Sequence, residues 1–448
     1  MGGESSLILC SPMASEPDDK LPPQGRFNRL RKLAGLSMHV GSEVLKTGAR
    51  KLSGTSPTEL LSLGTAEKLV ATLGEMKGAA MKLGQALSMD PDLLTPEVRQ
   101  MMARLQNQAP AMSYAQVSRV VREELGAPPE ALFKEFSPDA LAAASLGQVH
   151  RAVLHDGRPV AVKVQYPGID VSMGHDMDNL GLVVKTVSKT SRMMDGTAYF
   201  QELRDELMLE LDYRREAKLA QGFAKSVARL PDLYVPQVIE ERSAHRVLTL
   251  ELLEGQTLKD WVTTSPDDAA RFRVARQLIR ATYGPFLDAG EIHADPHPGN
   301  FMVMPDGRMG LLDFGSIKRF SPGFVAANRR MFQQALRLET LDVLDLCREV
   351  GFSVELPEAE AELLLREVLH IAGRPMRTAP YDYGTCDINR DMRNHFTRNA
   401  ARMMRIRPPP EAMMFFRATG GLAQNLRLVG AQGDFRQVFL EVGALVGE

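Results

Sequence analysis

The stretch His293–Gly315, HADPHPGNFMVMPDGRMGLLDFG, carries Asp295, then Asn300 five residues on, then Asp313-Phe314-Gly315. Between them, Met302-Val303-Met304 and Met309-Gly310-Leu311-Leu312 flank Asp306-Gly307, which reads as a β-hairpin closed by a tight turn. These residue types suit phosphoryl transfer, where a site does little covalent work and mainly positions groups and neutralises charge. Asp295 would stand beside the attacking hydroxyl or water, while Asn300 and Asp313 would hold Mg²⁺ against the phosphates of ATP. A solvated surface turn is the competing reading, but it gives no reason for His293, Asp295, Asn300 and Asp313 to recur in this order. His297, between Pro296 and Pro298, has no second His or Cys spaced to join it, so it reads as loop-shaping and not as a metal ligand.

The upstream half supplies the groups such a site lacks. Leu141–His150 leads into Arg151–Leu154, and after the Asp156-Gly157 turn comes Pro159-Val160-Ala161-Val162-Lys163-Val164. This is hairpin grammar, and its Val-Ala-Val-Lys matches the strand lysine motif of kinases. A conventional kinase would place a glycine-rich loop before it. Here Gly147 is alone, preceded by Ala142, Ala143, Ala144 and Ser145, with Gln148 after it. Alanine resists positive φ, so this loop is stiffer and cradles phosphate with a different geometry. Residues 171–190 and 199–228 read as helices, the second acidic at its start. Asp212 and Glu216 share a face; Glu210 and Asp212 do not unless the helix distorts there. Glu216 is the expected partner of Lys163. Tyr234–Glu240 and Arg246–Leu250 read as strands. Glu251-Leu252-Leu253-Glu254-Gly255 then reads as the connection between two lobes, with Glu251 and Leu253 placed to meet an adenine edge. From Leu258 onward the chain reads as helical apart from the hairpin.

Composition narrows the classes. The 448 residues have ordinary globular apolar and charged contents (44% and 25%), and a formal net charge of −2 gives no reason to expect a nucleic-acid partner. Cys10, Cys347 and Cys386 lie far apart, without metal-ligand spacing, so a reducing compartment is expected. No apolar run is long enough for a membrane span, which points to a cytoplasmic protein. Residues 1–25 read as a disordered leader. Residues 26–51 carry seven Lys/Arg against Glu43, with Phe27, Leu30, Leu33, Leu36, Val40 and Val44 at helical spacing. Such a basic amphipathic helix suits peripheral contact with an anionic membrane; packing on its own protein is the alternative. Helical patterns follow at 66–88, 96–108 and 113–125. In the first, Gly74, Gly78 and Lys82 lie along one face with Gln85, so a backbone should approach closely and carry Lys82 into the contact. The 24 methionines read as adaptable core.

Together these motifs resemble the UbiB/AarF family of atypical kinase-like ATPases, the group that includes the mitochondrial coenzyme Q kinase-like proteins, over residues 60 to 430. The family's motifs appear as Lys82-Leu83-Gly84-Gln85, Ala142–Gln148, Glu210-Leu211-Asp212 with Glu216, His293–Asn300 and Asp313-Phe314-Gly315. The resemblance implies an α+β, two-lobed protein-kinase-like fold: a small β-rich N-lobe, a helical C-lobe and an N-terminal helical extension laid over the site. The corresponding boundaries are 26–126 for the extension, 127–254 for the N-lobe with inserted helices, and 255–448 for the C-lobe. It also implies that Lys82 meets the acids Glu210 and Asp212, giving that lysine a partner and occluding the site against protein substrates.

The expected function is therefore a Mg²⁺-dependent atypical kinase or ATPase acting on a small-molecule or lipid-like substrate in ubiquinone or isoprenoid-lipid metabolism. Lys163 would orient the α/β-phosphates. A protein kinase is one alternative; a non-catalytic nucleotide-sensing scaffold and an antibiotic phosphotransferase are others. His293-Ala294-Asp295 lacks the arginine that pairs with an activation-loop phosphate, and no Ala-Pro-Glu follows Asp313 at the usual distance. Control by activation-loop phosphorylation is accordingly not expected.

Overall fold

Helix α1 (Tyr114–Leu125) begins at Ser113, whose side chain accepts from Gln116 N while the Gln116 side chain accepts from Ser113 N at 3.0 Å. This capping box fixes the start, and Gly126 at φ 81° ends the helix in the left-handed region. The computed structural model describes residues 112–144, 146–174, 177–178, 204–205, 207–335 and 342–444. The basic segment 26–51, the expected helices 66–88 and 96–108, Lys82 and Gln85, Ser145 and all of 179–203 lie outside the described residues.

The buried stripe of α1, Val117, Val120 and Val121, packs on an antiparallel sheet of order β1-β2-β3-β5. Its strands are β1 (Glu135–Ala144), β2 (Gly147–Val153), β3 (Pro159–Gln165) and, after the two-residue β4 (Leu233–Tyr234), β5 (Val247–Glu251). Alternation along β3 decides what faces where. Val160, Val162 and Val164 are fully buried against α1, which sends Lys163 to the other face of the sheet. Helix α2 (Tyr213–Ser226) covers that face, burying Tyr213, Glu216, Ala217, Ala220 and Phe223.

Close approach of β2 to β3 rests on Gly147, which pairs with Gln165. A Cβ there would lie 2.0 Å from Val164 O, so Gly147→Ala is expected to destabilise by about 1–3 kcal/mol through backbone displacement. A lowered urea midpoint checks this, and an unchanged one would mean that the strands separate freely.

The C-lobe is built around α3 (Asp268–Ala289), capped by the Asp267 side chain and ended by Gly290 at φ 68°. Val274, Ala275, Leu278 and Ile279 recur at helical spacing and join a core with residues of α5 (Pro410–Val429) and α6 (Phe435–Ala444), while α4 (Ile388–Arg398) packs on α5. A second sheet, of order β4-β9-β8-β6, contains the hairpin read from sequence: β8 (Phe301–Val303) against β9 (Met309–Leu311), with Gly307 at φ 85° in the turn. β6 is Gln256–Thr257. β7 (Glu291–His293) and β10 (Ile317–Arg319) pair across the entry and exit of the catalytic segment.

Three local expectations need correction. Tyr234–Glu240 is not a strand: only β4 and a single bridge from Val238 to Leu250 form, because Pro236 has no N–H to continue a ladder. The expected helix 199–228 is interrupted at Glu210–Asp212, and α2 restarts with Asp212 as its N-cap. Beyond Leu258 the C-lobe is not purely helical, since Ser353–Val354 pairs with Ile406–Arg407 and Tyr381–Asp382 with Gln432–Gly433. Among the described residues, no helix is long and apolar enough to cross a membrane.

Candidate active site

Lys163 projects from β3 toward α2, where Nζ donates to Glu216 Oε1 and Oε2, each at 2.9 Å. Asp313 Oδ2 lies 3.8 Å from the same ammonium. The Tyr213 ring, one helical turn before Glu216, sits with its centroid 4.9 Å from Nζ. The ammonium is thus held between two carboxylates and an aromatic face. Burial alone would lower the Lys163 pKa, but Asp313, Glu216 and Tyr213 outweigh it and hold it well above the ordinary lysine value. Burial pushes the Glu216 carboxyl up, with Asp313 and Glu210 adding to the push while Lys163 draws it back. Among the described residues, one lysine therefore lies among three acids, Glu210, Glu216 and Asp313.

The catalytic segment is fixed by its backbone. His293 Nε2 lies 2.7 Å from Asp313 O and 3.2 Å from Leu312 O, so that nitrogen bears the proton and donates to two carbonyls. Its ring is surrounded by Phe223, Phe301 and Phe314. This ties the start of the loop to the peptide carrying Asp313, which adopts φ 58°, a conformation uncommon for a residue with a Cβ. Asp295 is buried, and its Oδ1 accepts from His297 N at 3.4 Å. Asn300 Nδ2 donates to Asp295 O at 3.2 Å, which leaves the Asn300 side-chain oxygen as its acceptor. His297 Nδ1 accepts from Gly299 N at 3.1 Å, the loop-shaping role read from sequence.

Two supports were not apparent in the sequence. Asn425 on α5, itself buried, donates through Nδ2 to Pro296 O at 2.8 Å, holding the loop from the C-lobe side. Arg215 Nη1 donates to Gly315 O at 3.1 Å, fastening the end of the metal motif to α2. A polar residue on a helix carries no pattern that announces such a partner, whereas Tyr213 could have been found from its three-residue spacing to Glu216.

Other expected residues are placed differently from one another. Glu210 reaches the site: its Oε1 accepts from Ser316 Oγ at 3.3 Å, and its Cγ borders Gly315. Asp212 does not join it; the side chain accepts from Arg214 N at 3.0 Å and lies 3.1 Å from His245 Nδ1. Ala142, Ala143 and Ala144 form the end of β1, paired with Val149, Gln148 and Gly147, instead of an open loop. The register sets Gln148 opposite Val164, on the sheet face away from Lys163, with Oε1 buried and unpartnered among the described residues. Glu251 accepts from Tyr234 Oη at 2.7 Å and from Gln237 N at 3.2 Å, so its carboxylate serves the sheet edge. Leu253 is buried and packs over Gly310.

The donor set fits Mg²⁺. That ion takes oxygen ligands and is commonly bound through one or two carboxylates plus substrate phosphates. Asp313 and the Asn300 side-chain oxygen are donors of this kind. Among the described residues, no group of three or more His, Cys, Asp and Glu could hold a metal alone. Completion by phosphate oxygens suits that arrangement.

The family model of the ABC1 atypical kinase-like domain matches residues 104–346. The chain is 32% identical over 400 residues to the mitochondrial atypical kinase COQ8B of Rattus norvegicus, covering 87% of this chain and 75% of that one. It is 32% identical over 396 residues to the mitochondrial atypical kinase coq-8 of Caenorhabditis elegans, covering 86% of this chain and 52% of that one, about half its length. Among solved structures it is similar to Rv3197 of Mycobacterium tuberculosis in complex with erythromycin. The TM-score is 0.61 at 28% identity, over 85% of this chain and 95% of that one.

Proposed function

The chain belongs to the ABC1, or UbiB, family of atypical kinases, and on that premise we propose that it is a Mg²⁺-dependent ATPase or small-molecule kinase. The carrying observation is the cluster of Lys163, Glu216 and Asp313, drawn from both lobes, with Lys163 bonded to both oxygens of Glu216 at 2.9 Å. In this reading Lys163 orients the α/β-phosphates of ATP, and Glu216 with Tyr213 keeps its ammonium charged and pointed. Asp313 and Asn300 hold Mg²⁺, which when bound neutralises charge on the phosphate oxygens. Asp295 accepts the proton of the attacking hydroxyl or water. The connection through Leu253 supports adenine recognition by backbone, since no backbone hydrogen bond among the described residues uses that residue.

The acceptor is proposed to be small or lipid-like, in ubiquinone or isoprenoid-lipid metabolism, as the names of the COQ8 relatives suggest. The solved neighbour was captured with erythromycin, itself a small molecule, which favours this class over a protein acceptor. Lys82 is proposed to complete the site beside Glu210, occluding it. Thermal-shift titration tests the core of the proposal. ATP with Mg²⁺ at about 100 times Kd should stabilise the wild type by roughly 2.7 kcal/mol. Asp313→Asn should lose most of that gain; equal stabilisation of the two proteins would count against the metal assignment.

A further inference from the structure

Away from the phosphate site, the C-lobe holds a cavity of about 460 Å³ between α3, α4, α5 and the helix Glu358–Ala372. It is about three times the ~150 Å³ of an engineered apolar cavity that binds benzene, and falls within the roughly 300–1,000 Å³ of small-molecule sites. Phe396 and Phe416 line it yet are 43% and 45% exposed, so it reaches the surface between α4 and α5. No residue of the catalytic segment His293–Gly315 belongs to its wall, which sets it apart from the place of the phosphate acceptor.

The wall selects first by charge. None of its lining residues is charged, so a carboxylate or ammonium placed there would lose its water without gaining a partner. Eight aromatic side chains line the space, and ring-on-ring packing adds to the area a flat guest buries. Hydrogen bonding selects second. Three polar side chains of the wall spend their donors on main-chain carbonyls: Asn328 Nδ2 on Phe324 O, Asn389 Nδ2 on Gly420 O and Thr419 Oγ1 on Phe415 O, each at 2.9 Å. Tyr283 and Tyr383 differ, since neither hydroxyl has a hydrogen bond among the described residues. Their rings are fixed by packing. Tyr283 meets Phe439 edge-on at 5.8 Å, and Tyr383 meets Tyr381 and Phe435 at 4.9 and 4.7 Å between centroids. Desolvation pushes the Tyr283 hydroxyl up to about 12 and that of Tyr383 well above its usual value, so both keep their protons. A donor withdrawn from water without a partner is costly, and an acceptor oxygen on a guest would satisfy it.

We infer that this cavity is a binding site for a neutral, ring-bearing carbonyl compound, its rings against the aromatic wall and its oxygen accepting from the hydroxyls of Tyr283 and Tyr383. Charge exclusion, aromatic lining and two fixed, unused donors each narrow the guest, and they agree on this class. The inference does not depend on ATP turnover, since none of the groups involved belongs to the Lys163 cluster.

The test is fluorescence titration of the full chain with Nile red, a neutral probe, followed by displacement with fluorenone, fluorene or a fluorenone carboxylate. The first two share one ring frame and differ by the carbonyl, while the third adds a charge. Tyr283→Phe combined with Tyr383→Phe should weaken fluorenone about fivefold, the size of one net hydrogen bond, and leave fluorene unchanged. The carboxylate should bind at least tenfold more weakly than fluorenone to the wild type. Gly420→Leu fills the chamber, since a Cβ there meets nothing nearer than Asn389 Oδ1 at 3.9 Å. It should weaken probe binding at least tenfold, as should Ala423→Leu, each with a melting temperature no lower than that of the wild type. Failure of the probe to bind, or unchanged probe affinity in both filled variants, would overturn the assignment. So would equal changes for fluorenone and fluorene in the double variant, or a carboxylate that binds as tightly as fluorenone.

Discussion

Glu216→Ala is expected to destabilise the folded protein by about 3–5 kcal/mol, because it strands the Lys163 ammonium in a buried site. The side chains of Lys163 and Glu216 are 14% and 4% exposed, so water cannot replace the lost carboxylate. Asp313 at 3.8 Å is too distant for a direct hydrogen bond, and the Tyr213 face offers a weaker attraction. The measurement is urea unfolding, read as a lower midpoint at unchanged slope. A control separates the stranded charge from simple cavity formation. Lys163→Met combined with Glu216→Leu replaces the pair by hydrocarbon of similar volume, and such replacements are often neutral or stabilising. The double variant should therefore recover most of the stability and none of the ATP turnover. If Glu216→Ala unfolds at the wild-type midpoint, the ammonium has another partner and the assignment of Glu216 fails.

How far the sequence could carry this site depended on the distance over which each piece is specified. The segment from His293 to Gly315 is local: an Asp-Gly turn, flanking apolar strands and fixed spacing put Asn300 and Asp313 on one hairpin, and they fold as read. Lys163 and Glu216 are 53 residues apart, yet both follow from periodicity, one as an alternate strand position and the other as a helix-face position. Glu210 and Asp212 were legible only as a conflict. Two acids two apart cannot share a helical face, and the chain resolves this by breaking before α2, sending Glu210 to Gly315 and Asp212 to the cap. Gln148 was misplaced because its face depends on register with β3, and a one-residue difference in register exchanges the faces of a strand. The alanine segment is a strand because Gly147 lets β2 lie against β3; alanines alone do not say whether they pair. Asn425 lies 129 residues from its partner and left no sequence trace.

Asp295→Asn is expected to lower ATP turnover by about 10²–10⁴-fold, the contribution of a positioned general base. Its interpretation rests on what the substitution leaves unchanged. The Oδ1 atom that accepts from His297 N is retained in asparagine, and the bond from Asn300 Nδ2 to Asp295 O is a backbone contact. The loop should therefore keep its shape, held also by His293 at Asp313 O and by Asn425 at Pro296 O. Stabilisation by ATP and Mg²⁺ should remain near the wild-type value, unlike that of Asp313→Asn. Turnover is measured with and without a quinone-like phenol, so that water and a hydroxyl acceptor are compared in one assay. A comparable loss with both acceptors is expected if Asp295 takes the proton from whichever nucleophile is present. Loss with the phenol alone would make Asp295 an acceptor-orienting group. Unchanged turnover in both arms would remove it from the chemistry and favour a nucleotide-sensing scaffold, in which His293–Gly315 binds ATP without consuming it.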